Sequence, residues 1–359
     1  MDMNNFNPRI IKPSRLQSKS PELKRSRCIK NHLKNVETSL VFDLNILSKM
    51  NKVVCGEISI NQSGLVGLVT ILNKLPALYL TPGFAIAEIS HEYLHTVTNS
   101  YEVFLDKYCP SYDDAPNATH DYKNLNSKPT EFLKLDKSEK YLNSISYLGI
   151  LRIQIEERIN QGSQYDKYNE YLSYMINIAD MVGVVESEVA KYVFSDYSQI
   201  KDQKFKIFSS KIKKNFKKTS SDPKEALKKC LNAARDIMYY RTTADRSNEY
   251  IDGKLQDTWL ITADDGLCNL TDSIHFLPNM DNSDSKYVSY IRCKEQKKSD
   301  YWNYCDDITI KNLNYRQLVR AITDEPEKLE DKDLDKILGY IEDSEDELSK
   351  IILNGENNQ

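Results

Sequence analysis

Two short runs of β-branched and aromatic residues, each leading into an aspartate, constrain this chain more than any other feature. "SLVFDLNIL" sets Leu40, Val41 and Phe42 directly before Asp43, and "DTWLITADDGL" sets Trp259 to Thr262 before Asp264, with one alanine between. Such runs have the make-up of buried strands. A third strand is expected over 77–80, with a turn at Thr81 and a helix opened by Pro82 near its first position. Between these runs the pattern is helical, as in "YLNSISYLGILRIQIEERI" and "YLSYMINIADMVGVVESEVAKYVF". Strands alternating with helical segments predict an α/β fold built on a parallel sheet. In such sheets ligands bind in the crevice at the carboxyl ends of the strands.

The 359 residues allow two or three domains. Residues 1–36 read as a loose basic arm ending in "LKRSRCIKNHLK". Arg27 and His32 there make an R-x4-H, a spacing that one class of metal-free ribonucleases uses, although a solvated basic run is the simpler account. Residues 37–105 and 221–295 hold the strand-like runs, and 106–220 is a helical insertion. The second part opens at "SDPKEALKKC", with Ser221 or Asp222 as N-cap and Pro223 as first helical residue. Residues 296–359 form an acidic, helical tail, and "YWNYCDD" at 301–307 is placed to anchor that tail or an interface.

A net charge of −4 excludes a generally basic nucleic-acid binder, though not a local basic groove. The seven cysteines form no C-x-x-C pair, and their odd number and scatter predict reduced thiols and a cytoplasmic setting. No apolar run reaches the ~18–20 residues of a membrane helix, so no membrane association is expected.

Asp43 and Asp264 occupy matching strand ends. Burying a carboxylate costs several kcal/mol unless it is paired or metal-bound. A strand-end acid is often a helix N-cap or the partner of a lysine, but two at matching ends are harder to explain that way. Glu88 lies just after the third strand. Asp236 sits in the apolar helix "NAARDIMYYRTTAD", where a solvated face or an Arg235 neighbour would also account for it. Converging, these four acids would suit a pair of divalent cations, because Mg2+ and Mn2+ choose carboxylate oxygens.

In this order and context, "LVFDLNIL", "LYLTPGFAIAEI" and "DTWLITADDGL" resemble the acidic strand ends and helix of PIN-like nuclease domains. The resemblance covers about 37–100 and 221–280. It implies a PIN-like central parallel sheet flanked by helices, with a large helical insertion and a helical acidic C-terminal tail. It also implies metal-dependent cleavage of phosphodiester bonds, most often in RNA, with Mg2+ or Mn2+ as cofactor. Position by position, Asp43, Glu88, Asp236 and Asp264 take the acidic, metal-holding places, and Thr262 and Asn45 the polar places around them. Asp265 is a second candidate for the last ligand. The chain departs from the pattern at Leu44, where Ser or Thr is usual, and in the long gap from 236 to 264. Asp180 in "NIADMVG" is therefore an alternative to Asp236.

A competing chemistry is written at 91–95. His91-Glu92-Tyr93-Leu94-His95 is an H-E-x-x-H, which on one helix puts two histidines on a single face as zinc ligands. A zinc peptidase needs a third protein ligand, and Thr98 and Tyr101 stand where the extended motif needs Gly and His; Glu131 or Glu186 would have to serve. On the nuclease reading Glu88, Glu92 and His95 share one stripe of the helix, leaving Glu92 beside the site. A third possibility is a noncatalytic α/β protein that binds nucleic acid or protein.

"KDQKFKIFSSKIKKNFKK" interleaves lysines with Phe205, Phe208 and Phe216, ingredients for phosphate contact and base stacking on a single strand. Lys211, Lys213, Lys214, Lys217 and Lys218 are its candidate RNA contacts. A solvated amphipathic helix with Ile207 and Phe208 facing the core explains it equally well. The tail leaves room for a homodimer or a regulatory protein partner.

Overall fold

The computed structural model describes residues 6–75, 78–89, 91–112, 130–198, 200–251, 253–278, 287–323 and 331–356. Ala77, the expected start of the third strand, lies outside them. In chain order the first elements are β1 (Arg9–Ile11), α1 (Arg25–Leu33), β2 (Val36–Phe42), α2 (Leu44–Val54), α3 (Ile60–Ser63), α4 (Val66–Lys74), β3 (Leu78–Thr81), α5 (Gly83–Ala87) and α6 (His91–Tyr108). Helices α7 (Lys137–Ile159), α8 (Gln164–Ser173), α9 (Val184–Phe194), α10 (Gln203–Phe216) and α11 (Pro223–Arg246) follow. Then come β4 (Tyr250–Ile251), β5 (Lys254–Thr262), α12 (Asp265–Ser273), β6 (Ile274–Phe276), β7 (Val288–Tyr290), α13 (Lys294–Lys297), α14 (Asp300–Thr323) and α15 (Asp331–Glu356).

The chain divides into two compact units, Met1–Pro129 with Tyr239–Ser289, and Thr130–Met238 with Tyr290–Gln359. The first is mixed α/β, with a mostly parallel sheet flanked by helices. Its order is β1-β5-β2-β3, and β4 also pairs with β5. β2 runs parallel to both β5 and β3, whereas β1 is antiparallel to β5. The sheet packs on α2 and α6 through Leu40, Phe42, Trp259 and Ile261 from the strands, Ile46, Leu47 and Met50 from α2, and Leu94, Tyr101 and Phe104 from α6. Each such side chain contributes about 1.5–3 kcal/mol on burial, so this contact fixes where the strand ends lie.

From residue 6 to residue 36 the chain is not a loose arm. Ile10 and Ile11 give β1 its pairing with Leu260 and Ile261, and α1 buries Cys28. Two of the "arm" cations serve the interior: Lys12 and Arg27 both bind Asp257, at 2.8 and 2.6 Å. A basic run is drawn into a fold when an apolar pair anchors it and a buried acid receives its charge. His32 is exposed.

The single helix expected after Pro82 is two. Pro82 caps α5, which ends at Glu88, and α6 starts afresh at His91. The stripe joining Glu88 to Glu92 and His95 therefore does not exist. Serine, the residue before His91 in the sequence, favours helix starts over helix interiors.

The second unit is helical and joins what the sequence suggested were separate insertion and tail. α15 packs along α7, burying Leu334, Ile337, Ile341, Leu348 and Ile352, the three- and four-residue apolar spacing of an amphipathic helix. From α14, Trp302 stacks edge-on against Tyr192, with ring centroids 4.7 Å apart. Arg292 holds Glu188 at 2.6 Å and Asp306 at 2.7 Å. The described part of the acidic tail thus gives the core one apolar face and leaves its charged faces outside. Among the described residues no helix is long and apolar enough to cross a membrane.

Candidate functional site

Phe42 pairs with Ile261 in the parallel β2–β5 ladder, so the chain leaves both strands at the same sheet edge. Each exit is turned by an aspartate that caps the next helix. Asp43 caps α2, accepting from the Asn45 backbone N–H, and Asp264 caps α12, accepting from the Leu267 N–H at 2.8 Å. The two caps interlock. Thr262 Oγ1 donates to Asp43 Oδ2 at 2.5 Å and accepts the Asp264 backbone N–H at 2.9 Å. Asn45 Nδ2 donates to the same Oδ2 at 2.5 Å, while Asn45 Oδ1 accepts the Ala263 N–H at 3.3 Å. D-x-N on one strand and T-x-D on its neighbour thus form one hydrogen-bonded constellation.

Asp43 is only 6% exposed, and no described lysine or arginine pairs with it. Burial pushes its carboxyl up to about 6, and the negative charge of Asp264 pushes in the same direction, against the donors Thr262 and Asn45. Capping does not require that cost, since an exposed Asp or a Ser caps equally well.

Asp257, farther back on β5, shows what a structural acid looks like here. It is equally buried, yet Lys12, Arg27 and Asn31 surround it at 2.6–2.8 Å, and Arg27 also lies over the Trp259 ring. Despite burial, the two cations hold its carboxyl well below the usual range, and burial lowers Lys12 to about 8. The two shifts differ in sign of benefit: the acid gains from the pairing, while Lys12, fully enclosed, loses more hydration than one shared partner returns. Sequence inspection missed Asp257. Its only signal is an acid at mid-strand, which demands cations from elsewhere.

The other expected residues scatter. Glu88 is half-buried at the end of α5, soon after β3 reaches the shared sheet edge. Asp265 is the exposed first residue of α12. Asp236 belongs to the second unit, where it accepts from Asn215 Nδ2 at 3.3 Å. Its alternative, Asp180, is also there, in a left-handed conformation with Arg316 at 2.9 Å. Helical periodicity placed Asp236 on α11 but not in a unit, because the division falls inside that helix between Met238 and Tyr239. Among the described residues no three His, Cys, Asp or Glu side chains gather to hold a metal ion.

The zinc motif fares similarly. Glu92 and His95 are exposed on α6, and the His91 side chain lies outside the described residues. Neither acid named as a third ligand stands in the same unit: Glu186 is buried against Ser146 Oγ, and Glu131 pairs with Lys134.

In the lysine-rich α10 the aromatics turn inward. Phe205 and Phe216 are buried and Phe208 lies against Tyr192, so they are not platforms for bases; Ile207, expected to face the core, is exposed. Lys217 binds Glu157, Lys213 lies over the Tyr197 ring, and Lys218 reaches Asn215. Lys211 and Lys214 are on the exposed side. No protein-family model, no curated protein and no solved structure matches the chain.

Proposed function

We propose that the chain is a metal-dependent nuclease of PIN-like type, cleaving RNA with Mg2+ or Mn2+ held at Asp43 and Asp264. The observation that carries the reading is a buried carboxylate without a cationic partner, hydrogen-bonded through Thr262 to a second acidic strand end. A buried acid with a raised carboxyl at the edge of a parallel sheet where ligands bind is a functional-site candidate on physical grounds. The donor set fits a hard cation: two carboxylates, with amide and hydroxyl groups that hold them in place. Mg2+ typically takes one or two protein carboxylates and completes its shell with water and substrate phosphate, so a larger acidic cluster is not required.

When bound, the ion supplies an activated water and offsets charge on the phosphate. Asp43 and Asp264 would hold it. Thr262 and Asn45 fix the Asp43 carboxylate in one orientation, and Glu88, beyond the end of β3, would be the nearest further acid in sequence to the same edge. Asp236 is left out of this centre.

The test is cleavage of a labelled single-stranded RNA by the full chain with Mn2+, with chelator, and with Asp264→Asn. Cleavage that needs Mn2+ and is lost in Asp264→Asn, together with a smaller Mn2+-induced rise in melting temperature for that variant, is expected. An equal rise in both proteins removes Asp264 from the site. Binding of RNA without cleavage in any divalent ion replaces the nuclease by a binding protein.

A further inference from the structure

Arg9 is the first residue of β1 and pairs with Thr262 in the antiparallel β1–β5 ladder. Side chains of directly paired residues lie on the same face of a sheet. Thr262 uses that face to reach Asp43, so Arg9 leaves the sheet on the same face and at the same edge as the carboxylates. Its guanidinium is underused. Nε is enclosed and makes no hydrogen bond, and Nη2 makes one long bond of 3.4 Å to Asn269 Oδ1 on α12. Among the described residues no carboxylate pairs with it within ion-pair distance; it also hydrogen-bonds the Cys268 thiol, and its charge acts on that thiol and on Asp272 along α12. Other basic residues of this unit are used otherwise: Arg15 binds backbone carbonyls of Gln17, Ser18 and Thr271, and Lys12 and Arg27 neutralise Asp257. A planar five-donor cation whose contacts are one long bond to an amide and one to a thiol, with no described carboxylate paired to it, is suited to a phosphate group arriving from solution.

We infer that Arg9 is the phosphate-binding residue of this site, receiving a backbone phosphate of single-stranded RNA on the β5–α12 flank of Asp264. The inference rests on the nuclease reading and adds to it the group that fixes the strand across the carboxylates. An acidic centre repels an approaching polyanion, so one fixed cation at its margin decides where the chain can lie. The residue was invisible in the sequence, where it stands in a segment that reads as a solvated arm.

The test is fluorescence anisotropy of a labelled single-stranded RNA oligonucleotide with the full chain, in chelator and in Ca2+, between about 50 and about 200 mM salt. Wild type, Arg9→Gln and Arg9→Lys are compared, with a DNA oligonucleotide of the same sequence as a second probe. Arg9→Gln is expected to weaken RNA binding about tenfold and to lower the slope of log affinity against log salt by about one phosphate contact. Arg9→Lys is expected to restore the slope and part of the affinity, because it keeps the charge without the fork. A merely structural arginine bonded to Asn269 would move the melting temperature and leave the salt slope alone. Wild-type binding with an unchanged slope in Arg9→Gln overturns this assignment and leaves the nuclease reading standing. A wild-type chain that neither binds nor cuts RNA removes both. Equal effects on DNA and RNA show that the phosphate rather than the sugar is recognised, as the geometry expects.

Discussion

Replacing Asp43 by Asn should make the metal-free protein more stable at neutral pH. The Asp43 carboxyl ionises at about 6 in the fold, against 3.8 for an ordinary aspartate. A rise of about two units corresponds to about 3 kcal/mol between its protonation states. With the folded value raised, the sign is fixed. The favourable contribution is fully present below the unfolded value, fades as pH climbs from about 4 to about 6, and is absent at pH 7. Asn is as good an N-cap as Asp in general, but its one amide oxygen can fill only one of the two acceptor positions that Asp43 uses. Its amide oxygen can still accept from Thr262 and Asn45 at the Oδ2 position. The amide nitrogen then faces the Asn45 N–H, where Asp43 Oδ1 now accepts at 3.3 Å, at a cost of about 1 kcal/mol. The balance is a gain of about 2 kcal/mol at pH 7.5 in chelator, or a rise in Tm of about 4–8 °C. Thermal melts from pH 4 to pH 8 give the decisive quantity, the difference between variant and wild type at each pH. That subtraction cancels Asp257, whose lowered pKa acts in the opposite direction in both proteins. The difference should grow from pH 4 to pH 6 and then level, and added Mn2+ should close or reverse it by stabilising wild type alone. A variant that melts lower than wild type in chelator at pH 7.5, or a difference flat across pH 4–6, would refute the reasoning.

Two further outcomes follow from the same geometry. Glu88→Gln should abolish Mn2+-dependent RNA cleavage, whereas His91→Ala with His95→Ala should leave most of it; loss of activity and of stoichiometric zinc in the histidine pair would transfer the chemistry to the H-E-x-x-H helix. Asp257→Asn should cost about 3–5 kcal/mol at pH 7, because it strands a buried lysine, and the loss should shrink above about pH 9 as Lys12, already lowered to about 8, gives up its proton; urea unfolding at both pH values measures it.

What could be read in advance divides by the range of the interaction. Strand identity at Leu40–Phe42 and Trp259–Thr262, and the capping roles of Asp43 and Asp264, depend on residues within a few positions, and both strands lie where their composition put them. Parallel adjacency of β2 and β5 followed from two acids at matching ends. Partnership across long separations was not legible. Asp236 and Asp264 both sit on convincing local patterns, yet one belongs to a helical unit that gathers residues 130–238 with 290–359. The H-E-x-x-H motif has the same limit, since its spacing describes one helix face and is silent about the third ligand.

The two aspartates of β5 bring this to one point. Asp257 and Asp264 are seven positions apart on a strand and its exit, both are charged at neutral pH in an unfolded chain, and composition cannot rank them. What separates them is who arrives. Arg27 reaches Asp257 from 230 positions earlier and makes it a scaffold acid with its charge satisfied. Asp264 instead caps α12 through the Leu267 N–H, gives its own backbone N–H to the Thr262 hydroxyl, and acts by its charge on the Asp43 carboxyl at the neighbouring strand end. Of the cations in its first 36 residues the fold sends two to the middle of the strand and none of the described ones to Asp43, and holds Arg9 at the margin through Asn269 and the Cys268 thiol. Asp43, buried and with no described lysine or arginine paired to it, is the place at this sheet edge where a cation from outside the chain would act. A divalent cation between the carboxylates and a phosphate against Arg9 would balance both signs at once, which is the arrangement the proposed phosphodiesterase requires.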